Sequence, residues 1–184
     1  RLRSTIQQLG GKFYLNQQIR SISLRNGKVM SCEIDKGKLE ADYFIFATGH
    51  SAFDTYRMLI DKGVAFRSKN FALGFRAEHT QELINVAQWG VADLPGVKAA
   101  EYRLTAQAAD KTPVYTFCMC PGGKVVPSTA FAHTSLVNGM SYYQRNSPWA
   151  NAAVVAGIHL ENILKREVSA SEALDWLERL ESSY

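Results

Sequence analysis

Apolar residues recur at short intervals along the first 40 residues and predict one helix followed by strands. The helix is predicted within residues 1–11, where Gly10-Gly11 would end it. Asn26-Gly27 is a strong hairpin signal, because these residue types favour the backbone of a two-residue turn. Strands are therefore predicted at Lys12–Leu15, Ile19–Arg25 and Lys28–Ile34, and together they suggest a three-stranded antiparallel meander.

The run YFIFATGHS, residues 43–51, is apolar without alternation until it reaches a glycine. Such a short run predicts a strand buried on both faces, in a parallel or central position of a sheet. A helix is predicted to begin with Ser51 as its N-cap and to end near Gly63. A strand that runs through a glycine turn into a helix is a place where a ligand can approach bare backbone.

The remaining chain predicts short strands and two helices. Ser169 and Glu172 have the spacing of a capping box, so a final helix is predicted over residues 171–181. Residues 106–113 are expected to form an exposed connection. The other predicted elements are strands at Phe71–Glu78, Tyr102–Ala106, Tyr115–Cys120 and Lys124–Val126, and a short helix at Gln81–Ala87.

Composition and charge narrow the class of protein. The chain has 184 residues, 46% hydrophobic and 21% charged, which is typical of a globular domain with a core. Its apolar stretches, such as Ala152–Ile158, are too short to span a membrane, so we expect no membrane partner. The net charge is +4, but the basic residues are dispersed among acidic ones, so we expect no nucleic-acid partner either.

The three cysteines are Cys32, Cys118 and Cys120, and the chain has no Asn-x-Ser/Thr acceptor. Both features favour a reducing cytoplasm. Zinc is not expected, since one Cys-x-Cys lacks the second ligand pair of a tetrahedral site. A disulfide between Cys118 and Cys120 also fits poorly, because alternate residues of a strand lie about 6.6 Å apart. The default expectation is two buried, reduced thiols, and no metal.

Pro121-Gly122-Gly123 follows this pair directly. Two adjacent glycines after a strand let a flat ligand approach the backbone closely, but they also suit an ordinary tight turn. Physical reasoning leaves both readings open. The polar and aromatic segment over residues 138–151 is equally ambiguous, because it could line a ligand cleft or form an exposed crossover.

The glycines form neither a Gly-x-Gly-x-x-Gly turn nor a Walker-type loop, so the usual dinucleotide-phosphate motifs are missing from this chain. Several segments nevertheless resemble one family, the uncharacterised FAD-dependent dehydrogenases among flavoproteins with two dinucleotide-binding-type domains. The matching pieces are the meander, FIFATGHSAFDTY, FALGFRAEH, YRLT, VYTFCMCPGG and NGMSYYQRNSPWANAA. The pairing of ATGHSA with CMCPGG is the most specific of them.

The first residue, Arg1, is not Met, which suggests either a processed protein or a piece of a longer one. The resemblance implies an internal fragment. It implies a mixed α+β fold in which an antiparallel β-rich inserted lobe is attached to part of an FAD/NAD(P)-binding-type domain. On this basis residues 1–50 would end the FAD-binding domain, residues 51–136 would form the inserted substrate or lid lobe, and residues 137–184 would return to the C-terminal helix.

The resemblance also implies which residues lie near the flavin. They are Ala47, Thr48, Gly49 and His50 at the strand end, and Pro121, Gly122 and Gly123 in the signature loop, with Cys118 and Cys120 as candidate redox thiols. FAD is expected in the parent protein and not in this fragment, which lacks the pyrophosphate motif. The expected partners are the rest of the FAD-binding domain and an unknown small-molecule substrate.

The implied function is therefore the flavin-covering and substrate-facing lobe of an FAD-dependent oxidoreductase, inactive by itself. A function of another class also fits the residues. The chain could be a non-catalytic β-rich module that binds a substrate or a protein, with purely structural cysteines and glycines.

Overall fold

A computed structural model describes residues 1–183 of the chain. It combines helices with antiparallel sheets, which confirms the predicted α+β class. Contacts divide the chain into two compact units, residues 1–66 and the chain from residue 67 onward, and each is described by itself.

The first unit is a meander flanked by two helices. Its elements are α1 (Leu2–Gln8), β1 (Ile19–Arg25), β2 (Lys28–Ile34), β3 (Gly37–Glu40) and α2 (Phe53–Asp61). The strands pair antiparallel in the order β1-β2-β3. Asn26 and Gly27 both have positive φ, 52° and 73°, as a two-residue hairpin turn of type I′ requires. The predicted hairpin is therefore confirmed.

A small apolar core holds this unit together. Ile22 of β1, Cys32 of β2 and Leu59 of α2 are buried against one another. Gly63 ends α2 as predicted. Its φ is 85°, and its N–H donates to Ile60 O at 2.9 Å while the N–H of Val64 donates to Leu59 O at 3.0 Å. This pair of bonds is the Schellman arrangement, which satisfies carbonyls at the helix end.

Two details of the predicted meander and helix are wrong. Lys12–Leu15 forms no strand, and the third strand is β3 instead, because β2 continues through a turn directly into a paired neighbour. Ser51 does not cap α2, which begins at Phe53 after Ala52 and has no side-chain cap. The ring of Phe53 is buried, so apolar packing accompanies the start of this helix.

The predicted strand in residues 43–51 is also absent. Residues 43–49 belong to no strand, and the exposure of residues 43–47 alternates. Phe44 and Phe46 pack against the core of the first unit, whereas Tyr43 and Ile45 are 89% and 92% exposed. The segment is thus covered on one side only, and among the described residues it has no neighbouring strand to pair with.

The second unit is built on a four-stranded sheet. Its elements are β4 (Phe71–Thr80), α3 (Gln81–Trp89), β5 (Thr105–Gln107), β6 (Pro113–Cys120), β7 (Gly123–Pro127), β8 (Val137–Ser141), β9 (Trp149–Ile158), α4 (Leu160–Leu164) and α5 (Ala170–Glu181). The sheet order is β4-β9-β6-β5, all antiparallel, and β7 pairs with β8 as a separate hairpin. The long strands β4 and β9 pair over ten residues.

Most elements predicted for the second unit are present. The predicted strands and helix at residues 71–78, 81–87, 115–120 and 124–126 correspond to β4, α3, β6 and β7. The capping box of α5 is confirmed: Ser169 N donates to Glu172 Oε2 at 2.9 Å, and Glu172 N donates to Ser169 Oγ at 3.3 Å. The strand predicted at residues 102–106 begins only at Thr105. In the described residues, no helix has the length and apolarity needed to cross a membrane.

Strand β9 was not predicted, although it is one of the two inner strands of the sheet. Its sequence, WANAAVVAGI, is rich in alanine and also contains asparagine and glycine, which are weak strand formers. Hydrogen bonding to β4 on one side and to β6 on the other stabilises β9 as a strand despite its low strand propensity. Strand β8 and helix α4 were likewise not predicted.

Candidate functional site

The Pro-Gly-Gly loop joins β6 to β7 and is buried. Gly122 has a φ of 54°, and a Cβ atom there would collide with the backbone carbonyl of Arg145. A Cβ atom at Gly123 would collide with the carbonyl of Met140. These glycines are therefore required by the close approach of protein backbone. That a flavin also faces this loop stays a prediction.

A buried polar network holds the loop in place. Gln81, the first residue of α3, accepts a hydrogen bond from Gly122 N on its Oε1 at 2.8 Å. Its Nε2 donates to Asn85 Oδ1 at 2.8 Å and to Ala100 O at 3.0 Å, and its own N–H donates to Pro148 O at 2.8 Å. This one buried residue thus ties the loop to α3, to Ala100 and to Pro148, and it was not predicted from the sequence.

Strand β6 contains a β-bulge at the cysteine pair. Phe117 pairs with Ala153, but the next pair is Cys120 with Asn151, so Cys118 and Met119 together face one residue of β9. Cys118 adopts a left-handed backbone with a φ of 47°. The expectation of two buried thiols is wrong for Cys118, which is exposed, because the bulge turns it out of the sheet. Both thiols are free, and Cys120 is half-buried.

Arg76 of β4 lies beside this bulge and was not singled out from the sequence. Its Nη1 donates to Asn151 Oδ1 at 2.6 Å and to Cys118 O at 3.1 Å, and it lies 3.8 Å from Cys120 Sγ. The sequence signal was weak, a single arginine among the apolar residues of FALGFRAEH. Its partners are 42 to 75 residues away along the chain, so only the fold brings them together.

Asn151 completes the cluster from the inner strand β9. Its side chain is 0% exposed, and its Nδ2 has no hydrogen-bond partner. Gly139 of β8 lies against the same group, since a Cβ atom at Gly139 would contact Arg76 Nη1, Asn151 Oδ1 and Cys120 Sγ. We call Arg76, Cys118, Cys120, Gly139 and Asn151 the Arg76 cluster.

Residues 47–50 belong to the first unit, whereas the Cys-Pro-Gly-Gly loop belongs to the second. Ala47, Thr48, Gly49 and His50 are exposed, and they precede α2. Gly49 has a φ of 82°, and a Cβ atom at Gly49 would meet no atom within 4 Å. The carbonyl of Gly49 accepts a hydrogen bond from Tyr56 Oη at 2.7 Å. This turn is fixed by α2, and its backbone is open to a ligand.

The polar and aromatic segment 138–151 is only partly a loop, since β8 and β9 take up its two ends. In between, basic side chains cover aromatic rings. Lys98 Nζ lies 4.3 Å from the centre of the Tyr143 ring, and Lys124 Nζ lies 5.6 Å from that of Tyr142. Arg145 forms an ion pair with Glu101. The segment is held by cation–π and ionic contacts at the surface.

His79 and Tyr102 form a further polar pair, with 2.8 Å between His79 Nε2 and Tyr102 Oη. Partial burial raises the pKa of Tyr102, because the phenolate would be poorly solvated. Among residues 1–183, no group of three or more His, Cys, Asp or Glu side chains could hold a metal ion.

Comparison with known proteins identifies the second unit. The model of a family described as "FAD-dependent protein, C-terminal domain-like" matches residues 70–184. An uncharacterized protein of Clostridium beijerinckii (strain ATCC 51743 / NCIMB 8052) is 40% identical over 163 residues. The alignment covers 88% of this chain but only 31% of that relative. Since the family match extends over more than half of its residues, the chain belongs to the family of FAD-dependent proteins with this C-terminal domain.

Proposed function

We propose that this chain is an internal part of an FAD-dependent oxidoreductase with two dinucleotide-binding-type domains, and that its second unit is the flavin-covering, substrate-facing lobe. The observation that carries the proposal is the family match over residues 70–184, which contains every helix and strand of the second unit. When bound, the flavin supplies the redox chemistry, and the protein supplies binding and orientation.

The first unit would contribute one edge of the cofactor site. The backbone at residues 47–50 suits a flat ligand, since the turn is exposed and space is open at Gly49. Tyr56 would keep the turn in place through its bond to the Gly49 carbonyl. In this role Ala47, Thr48, Gly49 and His50 bind and orient the cofactor through backbone contacts.

The second unit would contribute the signature loop. Pro121, Gly122 and Gly123 are buried, held by Gln81 and packed against protein backbone, so they would form a rigid support for the flavin-facing side of this lobe. Cys118 is exposed and reduced, and Cys120 is half-buried beside Arg76. One of these thiols would be redox-active near the flavin.

The rest of the FAD-binding domain is the partner in this proposal. Tyr43 and Ile45 expose large apolar side chains on a segment that lacks strand neighbours among the described residues. Docking of the missing domain would cover them and provide the paired strands expected of a buried run. The chain alone would neither hold FAD tightly nor catalyse turnover, and a cytoplasmic setting belongs to the same proposal.

The test is expression of the full-length parent and of this chain in parallel. We expect the parent to purify with bound FAD that a reductant bleaches and an acceptor restores, and we expect the chain to purify colourless. Binding of FAD to the isolated chain with micromolar or better affinity would contradict the claim that the pyrophosphate site lies elsewhere.

The cysteines are tested in the full-length parent by Cys118→Ser and Cys120→Ser. Loss of flavin reoxidation in either variant, with FAD content unchanged, would support a redox thiol. Unchanged turnover in both would remove the cysteines from the chemistry and leave the flavin proposal in place.

One observation favours a second function, a non-catalytic interaction module. At both Gly122 and Gly123 the space of a side chain is filled by protein backbone, so structure alone explains these glycines. A full-length parent that binds no FAD would establish this alternative.

A further inference from the structure

The geometry points to Arg76 as a carboxylate-binding residue on the substrate-facing lobe. This inference rests on the proposed function, and it adds a substrate class: a small molecule with a carboxylate group. Its evidence is the unused hydrogen-bonding edge of Arg76 and the buried partners, Asn151 among them, that hold the other edge in place.

Arg76 has no carboxylate partner among residues 1–183. Its Nη1 makes every hydrogen bond found for the side chain, and the acceptors are an amide oxygen, a backbone carbonyl and a sulfur. None of these three acceptors is a carboxylate. A half-buried guanidinium without a counter-charge is unusual, because partial burial weakens its solvation.

The unused edge of Arg76 has the shape of a carboxylate receptor. Nε and Nη2 have no acceptor among the described residues, and neither is one of the buried polar atoms that lack a partner, so both reach solvent. The N–H bonds of Nε and Nη2 point the same way and form the side-on fork that binds both oxygens of a carboxylate. The Nη1 contacts hold the fork in one orientation from behind.

Asn151 provides the second, independent observation. The side chain is fully buried, and its Nδ2 has no partner although its Oδ1 is bonded to Arg76. A buried N–H without an acceptor costs about 1–3 kcal/mol, and such groups in native proteins are explained by local strain, by a chemical role or by a bound water or ion. Arg76 and Asn151 lie on one face of the sheet, because Arg76 pairs with Ala153, two residues from Asn151 on β9. Asn151 therefore holds the Nη1 side of the guanidinium from a buried position, behind the edge of Arg76 that reaches solvent.

A side chain at position 139 would fill the space at this group, since Gly139 lies against Arg76, Asn151 and Cys120. The cluster also adjoins the Pro-Gly-Gly loop, because Cys120 immediately precedes Pro121. A carboxylate held at Arg76 would thus anchor a substrate next to the loop proposed to face the flavin. Arg76 would be a binding residue, with no covalent step at this position.

The test uses the complete 184-residue chain with benzoate as the probe and benzamide as its neutral counterpart. We expect benzoate to shift the Arg76 Nε–H resonance in a saturable manner, with a dissociation constant on the order of 1 mM, which two charge-assisted hydrogen bonds can provide. Benzamide should leave this resonance unchanged.

Two variants localise the effect. Arg76→Lys keeps the charge but removes the fork, and we expect at least about tenfold weaker benzoate binding. Arg103→Lys changes an exposed arginine of the same unit and should have no effect. If Arg76→Lys does not fold, the shift of the Arg76 resonance in the unmodified chain still decides the question.

The inference is overturned if benzoate leaves the Arg76 resonance unshifted, if benzamide binds as tightly, or if Arg76→Lys binds benzoate like the unmodified chain. Flavin redox activity of the parent is measured separately. An active parent whose Arg76 ignores benzoate refutes only the carboxylate site, whereas benzoate binding in a parent without flavin refutes only the oxidoreductase function.

Discussion

The backbone N–H of Gly122 donates to Gln81 Oε1 over 2.8 Å, so the first residue of α3 holds the turn between β6 and β7. Replacing Gln81 by Ala leaves Gly122 N, Ala100 O and Asn85 Oδ1 without this partner in a buried place. We expect the second unit to lose about 2–4 kcal/mol in its free energy of unfolding.

The measurement is denaturant unfolding followed by tryptophan fluorescence, because Trp89, Trp149 and Trp176 all lie in the second unit. Gln88→Ala is the matched control, since Gln88 is an exposed glutamine of the same helix. Equal midpoints for the two variants would show that the network contributes nothing beyond an ordinary surface residue.

Gly122→Ala should destabilise the second unit more than Gly96→Ala. Both glycines have positive φ, 54° and 82°, so each substitution incurs the strain of a left-handed backbone, about 1–3 kcal/mol. At Gly96 the added methyl group meets open space, whereas at Gly122 it meets the carbonyl of Arg145. The difference between the two unfolding midpoints therefore measures the packing contribution alone, and no difference would mean that the loop relaxes freely.

The start of α5 should make stability depend on pH in the acid range. The hydrogen bond from Arg166, together with those from Ser169, lowers the pKa of Glu172 to about 2 from its ordinary 4.5. Because the folded-state pKa is the lower one, the carboxylate stabilises the fold above about pH 4.5, and this stabilisation is lost as the pH falls toward 2.

Thermal melting followed through Trp176, which lies on the same helix, should therefore show a midpoint that falls over this range. Glu172→Gln should flatten the dependence. Glu167→Gln, at an exposed neighbouring glutamate, should leave the slope as it is. A slope that survives Glu172→Gln would assign the acid sensitivity to other carboxylates.

Substitutions at alternate residues of the segment 43–46 should differ in their effect on the stability of the isolated chain. Phe46→Ala removes a ring that packs on the core of the first unit, and we expect a loss of about 2 kcal/mol in the stability of the isolated chain. Tyr43→Ser removes a side chain that is 89% exposed, so the isolated chain should be unaffected.

Hydrogen exchange of amides in β1 and β2 reports the stability of this unit, which has no tryptophan. In the full-length parent we expect Tyr43→Ser to have an effect as well, because Tyr43 would then be covered. Tyr43→Ser should lower the yield of FAD-loaded protein there, and a parent indifferent to this substitution would refute the proposed contact with the missing domain.

Local signals in the sequence predicted those parts of the fold that local chemistry determines. The capping box of α5, the Asn26-Gly27 hairpin and the glycine that ends α2 depend on residues a few positions apart, and all are present. Strand β9 depends on neighbours far along the chain, so its alanine-rich sequence was not identified as a strand.

The candidate site shows the same division. The Cys-Pro-Gly-Gly loop was found from its residue types, but its supports, Gln81 and Arg76, come from segments about 40 residues away. The burial of the run at residues 43–51 was overestimated for a related reason. An apolar run predicts burial on both faces, but burial requires neighbouring strands, and the described residues supply none.

The bulge in β6 decides which sulfur atom meets the guanidinium. If residues 117–120 paired without a bulge, Met119 instead of Cys120 would lie opposite Asn151, because Phe117 already pairs with Ala153. Deleting one residue at position 118 or 119 would leave Cys120 opposite Asn151 in a regular ladder, so the thiol would stay beside Arg76. The shift of register at the bulge, and not the order of the side chains alone, therefore places a thiol instead of a thioether next to the guanidinium.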